Sequence, residues 1–187
     1  MLSLSEADRR AALHLARAAV VEAVSHRKLP DAFPREGVFS DRHGVFVTLR
    51  VHNRLQGCIG VIEANELLGE AIVRCAASAA LEDPRFSPVR PEQLDDLSIE
   101  ISLLSPMEPI APEAIEIGRH GLFVRLHAQR GLLLPQVAIE HRLTREQFLE
   151  ETCRKAGLPR DAWRDPKARL FGFTCEVFSE RLNLAEA

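Results

Sequence analysis

The chain has 187 residues, of which 46% are hydrophobic and 27% are charged. It is therefore long enough to bury a core and is typical of a globular protein rather than a disordered or fibrous one. Its 24 Lys and Arg residues against 27 Asp and Glu residues give a net charge of −3, which argues against a dedicated nucleic-acid binder. No apolar run reaches the roughly 20 residues that span a bilayer, and the N-terminal sequence has no secretory signal pattern, so we expect a cytoplasmic protein.

The cysteine and histidine spacing limits the possible metal and redox chemistry. Cys58, Cys75, Cys153 and Cys175 form neither a CxxC metal motif nor a disulfide scaffold, so we expect free thiols, the last three of them in the core. The seven histidines form no HxH or HxxxH pair, and no metal site is predicted. The sequence indicates no particular cofactor, and it lacks the three-cysteine cluster that would hold an iron–sulfur centre.

Hydrophobic periodicity predicts helices and antiparallel strands in the first half of the chain. A helix is expected over about residues 5–27, followed by an antiparallel hairpin from about 44 to 62. Asn65 is expected to cap a second helix whose apolar face covers residues 68–79. Residues 97–103 alternate with period two and predict a further strand with one polar face.

The second half of the chain continues the same mixture. Residues 121–127 and 131–138 predict a second hairpin, with Pro135 placing the returning strand at a sheet edge. A capping-box pattern at the start of residues 144–157 predicts a helix that the final glycine closes. Residues 171–177 predict one last strand that returns to the sheet. Hairpins with inserted helices favour an α+β fold with an antiparallel sheet flanked by helices.

The most distinctive string is LQGCIG at residues 55–60, where a thiol lies between glycines inside a strand. Glycine weakens a strand and therefore needs a reason, such as close approach by a ligand or another backbone. The face that carries Cys58 depends on the hairpin register. One register places Cys58 opposite Val47 in the core, and a shift by one residue places it beside Thr48 on the opposite face.

Several polar residues are candidates for a site around this string. Cys58 and Glu100 are the candidate catalytic residues, because a thiolate is a nucleophile and a carboxylate can move protons. The alternative for Cys58 is that it is a buried structural cysteine. The alternative for Glu100 is that it lies on a strand face exposed to solvent. The stiff loop at residues 83–86 suits either substrate binding or an ion pair that braces the fold. The candidate binding residues are Gln56, Gly57, Gly60, Asp83 and Arg85.

Taken together, these strings resemble the AMMECR domain family, whose prokaryotic members are called AmmeMemoRadiSam system protein A. The resemblance covers about residues 5 to 180 and continues through KAGL at 155–158 and Trp163. The strings that carry it, in chain order, are FVTL at 46–49, LQGCIG at 55–60, DPRFSPV at 83–89, IEISLLSP at 99–106 and LLPQV at 133–137.

The resemblance implies a single AMMECR domain over residues 1–187, built as a larger and a smaller lobe with a cleft between them. It attaches no secure reaction to the chain. It does imply two partners, a Memo-like protein and a radical SAM protein, with which the chain would modify a substrate. Gln56 stands where the family hallmark has arginine, so a role that needs a fixed positive charge there is in doubt, whereas hydrogen bonding is retained.

Two functions are therefore expected for the LQGCIG strand. In the first, the chain is an enzyme component in which Cys58 lies in the cleft, with Gln56, Glu100 and the Asp83/Arg85 loop around it. In the second, the glycines and the cysteine of the strand serve only to pack the fold, and the chain is a non-catalytic adaptor that binds substrate or delivers it to the two partners. Nucleic-acid-linked regulation is a third alternative, which the charge balance opposes.

Overall fold

The computed structural model describes residues 4–30, 33–63 and 65–180. The chain divides into two compact units, one made of Met1–Leu104 with Glu176–Ala187 and the other of Ser105–Cys175. The described residues form four α-helices and two four-stranded antiparallel sheets, which confirms the α+β prediction. None of the helices among these residues has the length and apolar character needed to cross a membrane.

The first unit is a four-stranded sheet covered by two helices. In chain order its elements are α1 (Glu6–His26), β1 (Val45–Val51), β2 (Arg54–Val61), α2 (Leu68–Leu81), β3 (Leu97–Leu104) and β8 (Cys175–Ser179). The strands lie in the order β2-β1-β3-β8, so β2 and β8 are the edge strands. The predicted first helix, hairpin and third strand are confirmed.

Helix α1 begins and ends with capping that its sequence encodes. Ser5 accepts a hydrogen bond from the Asp8 N–H, and the Asp8 side chain accepts one from the Ser5 N–H, which completes a capping box. Arg27 ends the helix in the left-handed conformation.

Helices α1 and α2 pack against one face of the sheet. Alternate residues of β1 and β3, such as Val47 and Ile101, are fully buried on that face. The helices present small residues such as Ala16 and Ala76 to the same cluster, which allows the backbones to approach closely. The other face of β1 and β3 carries the polar side chains, among them Thr48 and Glu100.

The expectation that Asn65 caps α2 is wrong. The N-cap residue is Leu67, which makes no capping hydrogen bond through its side chain. The free N–H of Leu68 instead donates to the Asp41 carbonyl at 2.8 Å. The Asn65 amide donates to Glu63 Oε2 at 3.4 Å. A long-range backbone acceptor has thus replaced the local side-chain cap.

The second unit has its own sheet and its own hydrophobic clusters. Its elements are β4 (Glu108–Pro109), β5 (Gly121–Leu126), β6 (Gln129–Leu133), α3 (Pro135–Glu140), α4 (Arg145–Lys155) and β7 (Arg169–Phe173), with the strands in the order β4-β7-β5-β6. Helix α4 has the predicted capping box between Thr144 and Gln147, and Gly157 follows it with a φ of 71°. Its apolar face packs against β5 through residues such as Cys153 and Val124.

The second hairpin is shorter than predicted. Its returning strand, β6, ends at Leu133 rather than at residue 138, and Pro135 occupies the first turn of α3. Proline fits this position because the first helical N–H has no partner to lose. The expectation that the returning strand lies at an edge is confirmed, since β6 is the last strand of its sheet.

The predicted C-terminal strand over residues 171–177 is two strands in different sheets. The break falls at Thr174, whose N–H donates to Ser105 Oγ at 2.9 Å and whose carbonyl accepts from the Ser105 N–H at 3.0 Å. Beyond the break, β8 joins the first sheet beside β3. There Glu176 accepts hydrogen bonds from the Leu4 N–H and the Arg9 side chain, so the two ends of the chain meet as expected.

Candidate functional site

The hairpin register decides which face carries Cys58. Thr48 pairs with Cys58 across β1 and β2, and Thr48 pairs with Glu100 across β1 and β3. The ladder shifts between Leu49 and Arg50, where Gln56 is the extra residue of a β-bulge on β2. The thiol therefore lies on the sheet face opposite the helices, which is the second of the two predicted registers.

Cys58, Thr48 and Glu100 form one row across three neighbouring strands, which we call the polar row. Thr48 Oγ1 donates a hydrogen bond to Cys58 Sγ at 3.3 Å. Cys58 and Glu100 are half-buried, whereas Thr48 between them is 8% exposed. No described residue forms an ion pair with the Glu100 carboxylate. Since strands lie about 4.8 Å apart, the backbones of Cys58 and Glu100 are separated by roughly 10 Å, and they form no dyad.

The loop after α2 holds the backbone of Cys58 from the side of the sheet. Asp83 Oδ2 accepts from the Cys58 N–H at 2.8 Å, and Arg85 Nη2 donates to the Cys58 carbonyl at 3.0 Å. Arg85 also binds Asp83 in a bidentate manner, with Nε–Oδ1 at 2.9 Å and Nη2–Oδ2 at 2.7 Å. We call this arrangement the Asp83–Arg85 brace. Of the two roles predicted for the loop, the structure shows the bracing ion pair.

The brace occupies hydrogen-bonding groups that an edge strand would otherwise expose. Strand β2 is the edge of its sheet, and unpaired N–H and C=O groups at an edge invite pairing with another chain. The loop satisfies both groups of Cys58, and Gln56 Nε2 donates to the Ser87 carbonyl at 2.7 Å. The hydrogen bonding expected of Gln56 is thus present, and it is directed at the loop backbone.

The electrostatics of the brace favour its charged form. The Arg85 guanidinium, helped by the N–H groups of Cys58 and Arg85, holds the pKa of the Asp83 carboxyl well below its usual range. Burial opposes this shift, since the Asp83 side chain is 2% exposed. The same ion pair raises the pKa of Arg85 above its ordinary value.

Both glycines of the candidate site have packing partners. A Cβ on Gly57 would lie 2.0 Å from the Ala79 carbonyl oxygen of α2, on the helix side of the sheet. A Cβ on Gly60 would lie 2.3 Å from the Phe46 ring, its neighbour on β1. Close approach of other protein groups therefore accounts for both glycines, and a ligand-binding role for them stays a prediction.

All four cysteines lie in the described part of the chain, none of them forms a disulfide, and their surroundings differ. Cys75 and Cys153 are buried, as predicted, and burial raises the pKa of Cys75 to about 11 and that of Cys153 in the same direction. Cys175 is half-buried, so the expectation that it belongs to the core is wrong. It begins β8, immediately after the break between the two C-terminal strands.

Sequence reasoning placed Thr48 beside Cys58 in one of the two possible registers, and it missed Ser87 as a partner of the site. The alternation of β1 predicts that Thr48 faces away from the core, but only the register shows that its hydroxyl reaches the thiol. Nothing in the pattern around Ser87 predicts that its carbonyl accepts from Gln56. Among the described residues, no group of three or more His, Cys, Asp or Glu side chains could hold a metal ion.

Comparison with known proteins finds relatives of this chain. The model of the AMMECR1 family matches residues 13–178. A protein from Methanothermobacter thermautotrophicus is 44% identical, with 95% of this chain and 96% of the relative covered. A protein from Aquifex aeolicus is 41% identical, with 93% of each chain covered.

A solved structure has the same fold. The crystal structure of the uncharacterized protein PH0010 from Pyrococcus horikoshii matches with a TM-score of 0.83 and 40% sequence identity. The match covers 91% of this chain and 90% of that one.

Proposed function

The chain belongs to the AMMECR1 family, and from this membership we propose that it works in the cytoplasm with a Memo-like protein and a radical SAM protein to modify a substrate. Its own part is to bind the substrate at the sheet face that carries the polar row. The partners supply the reaction chemistry. Support for the partnership comes from the family resemblance, and support for the binding face comes from the geometry.

The observation that carries the binding role is the contact made by the thiol. Cys58 Sγ accepts a hydrogen bond from a hydroxyl, and the Glu100 carboxylate of the same row lies two strands away. A thiol nucleophile needs a base or a cation beside the sulfur atom. Arg85 and Asp83 bind the backbone of Cys58 and each other. Asp83 contributes most to the raised pKa of Arg85 and the Cys58 side chain contributes less, so the Arg85 charge is engaged mainly by the carboxylate.

The free carboxylate indicates the chemistry of the bound group. Glu100 is half-buried and has no ion-pair partner among the described residues, so it favours a cationic or hydrogen-bond-donating group of the substrate. Thr48 and Cys58 continue the row beside it and offer a hydroxyl and a polarizable sulfur. The rigid sheet and the brace keep these three groups in a fixed line.

Association of the three proteins tests the partnership. The Memo-like and radical SAM proteins of the same organism are purified with this chain, and a ternary complex is sought by size-exclusion chromatography at micromolar concentration. We expect a complex that Glu100→Gln leaves intact, because the substrate rather than a partner meets Glu100. Failure of the three proteins to associate in any combination would contradict the proposal.

A second candidate is that Cys58 acts as a nucleophile. It is favoured by the hydrogen bond from Thr48 Oγ1 and by the interaction of the Arg85 guanidinium with the Cys58 side chain, since a donor or a cation beside sulfur stabilises a thiolate. Site-resolved alkylation against pH, read by peptide mass spectrometry, separates the candidates. Cys75 and Cys153 are internal references for buried thiols with raised pKa values.

The binding role predicts that Cys58 reacts no faster than an accessible thiol of ordinary pKa, about 8.5. It also predicts that Thr48→Val changes the alkylation rate of Cys58 by less than a factor of about two. Fast alkylation of Cys58 well below that pH, lost in Thr48→Val, would establish the nucleophile instead. Cys58→Ser distinguishes the two candidates in the assembled three-protein system. If Cys58 only helps to bind substrate, the serine hydroxyl can replace the thiol and substrate modification continues. If Cys58 is the nucleophile, substrate modification is lost.

A further inference from the structure

Three arginines stand side by side on the sheet of the second unit. Arg125 of β5 pairs directly with Arg130 of β6 on one side and with Arg169 of β7 on the other. All three are exposed. We call them the arginine row.

The row lies on the face of the sheet that turns away from helix α4. The flanking residues of β5, Val124 and Leu126, pack against Cys153 and its neighbours on α4. Because side chains alternate along a strand, Arg125 points to the opposite face. The next row on that face, two residues along β5, contains Phe123 and Phe171, whose ring centroids are 5.9 Å apart.

Arg125 and Arg169 form a directly opposed pair of like charges, which works against the fold. Directly opposed residues of neighbouring strands have their Cβ atoms about 5 Å apart, and like charges in such pairs are destabilising. Arg125 and Arg169 form no ion pair with any residue in the described part of the chain. The chain as a whole carries a net charge of −3, so the row is a local concentration of positive charge on an acidic protein.

We propose that Arg125, Arg130 and Arg169 form a binding site for a small molecule that carries two or more linked phosphate groups. A guanidinium matches phosphate oxygens in bidentate fashion and stays charged at every physiological pH. The outer strands of the row are separated by roughly 10 Å. A di- or triphosphate places about three negative charges within that span, whereas a single carboxylate balances one guanidinium. This site goes beyond the function proposed for the polar row, since it uses other residues in the other unit.

The first test measures binding of inorganic tripolyphosphate to the full chain by isothermal titration calorimetry. We expect one molecule to bind, and we expect Arg125→Gln to weaken the affinity by at least about tenfold, because each charge-assisted pair contributes that order of affinity. The matched control is Arg145→Gln, which removes the same charge from an exposed position at the start of α4. Equal loss in the control, or no binding to the unsubstituted chain, overturns the proposal.

Thermal unfolding supplies a second, independent readout. Without ligand, we expect Arg125→Gln to unfold at a higher temperature than the unsubstituted chain, because the repulsion within the row is relieved. With tripolyphosphate, the order reverses, because only the unsubstituted chain gains stability from the ligand. A variant that fails to fold shows no cooperative transition, and a variant that is only destabilised unfolds at a lower temperature in both conditions, so neither is mistaken for a loss of ligand binding.

Two further ligands define the class. Inorganic phosphate is expected to bind at least about tenfold more weakly than tripolyphosphate, since it meets fewer of the three arginines. A single-stranded oligonucleotide is expected to bind no more tightly than tripolyphosphate. If the oligonucleotide binds more tightly and depends on Arg125, the row is a nucleic-acid contact and the proposal is wrong.

Discussion

The Asp83 carboxylate accepts hydrogen bonds from Cys58 and from Arg85, and this one side chain holds the edge of the first sheet. Asp83→Asn keeps the size of the side chain but removes the charge that binds Arg85. We expect the free energy of unfolding to fall by roughly 2 kcal/mol, a value reduced by the solvent exposure of the Arg85 side chain, which is 53%. Urea denaturation measures the change.

The control for this substitution is Asp96→Asn. Asp96 is 52% exposed and meets His52 Nε2 at 3.5 Å, so its loss should change the free energy of unfolding by less than about 0.5 kcal/mol. An equal effect of the two substitutions would show that the brace contributes no more than an exposed ion pair.

The brace also predicts how stability depends on pH. The pKa of Asp83 is lower in the folded chain than in the unfolded chain, where it is about 3.9. The stabilisation by the charged form is therefore complete above the unfolded pKa and is lost as the pH falls below it towards the folded pKa. We expect the difference in unfolding free energy between the unsubstituted chain and Asp83→Asn to be constant from pH 7 to about 5. It should shrink between about pH 4 and 2.5, and a difference that grows on acidification would contradict the brace.

At the scale of the elements, the contact between β2 and α2 depends on the missing side chain of Gly57. The Ala79 carbonyl oxygen occupies the position that a Cβ would need, and backbone atoms of a helix cannot move aside as a flexible side chain can. We expect Gly57→Ala to destabilise the chain by about 3 kcal/mol or to prevent folding. Thermal unfolding followed by circular dichroism measures the loss.

Gly37 offers a comparison for this prediction. It has a φ of 56°, but no atom lies within 4 Å of a Cβ built there, so Gly37→Ala introduces conformational strain without a clash. Its cost should be about 1 kcal/mol. If Gly57→Ala costs no more than Gly37→Ala, helix α2 is free to move away from β2.

At the scale of the whole molecule, the two units differ in how the chain builds them. The second unit is one continuous segment, and the hydrophobic clusters around Val124 and Phe148 contain residues of that segment alone. We therefore expect a fragment of residues 105–175 to fold by itself, with circular dichroism and a cooperative thermal transition as the measurement.

The first unit needs both ends of the chain. Strand β8 completes its sheet, and Arg17 of α1 binds Glu180 as well as the carbonyls of Leu94 and Leu97. A fragment that ends at residue 104 lacks β8 and leaves the edge of β3 unpaired, so we expect it to be unfolded or aggregated. A stable, monomeric fragment of this length would contradict that dependence.

The sequence by itself determined the elements whose signals are local. Each capping box, at Ser5 and at Thr144, is formed by residues within a stretch of four, so the local sequence predicts it. The alternation along residues 45–61 likewise predicts the first hairpin. Two of the sequence predictions were wrong for the same reason, because each depended on a contact with a residue far away in the chain. The Asn65 cap was replaced by a distant carbonyl, and the strand after residue 171 is divided by its contacts with Ser105, which a local pattern does not contain.

The tertiary structure alone decided how the candidate site is built. The residues of LQGCIG predict a thiol in a strand. A shift of one residue in the hairpin register moves that thiol from one face of the sheet to the other, so the alternation of residues does not predict which face carries Cys58. The bulge at Gln56 sets the register in which Thr48 pairs with Cys58, and the Thr48 hydroxyl therefore reaches the sulfur. The brace depends on a hydrogen bond between Cys58 and Asp83 across 25 residues of sequence. The arginine row likewise exists only because three strands align, which the spacing of its members along the chain does not reveal.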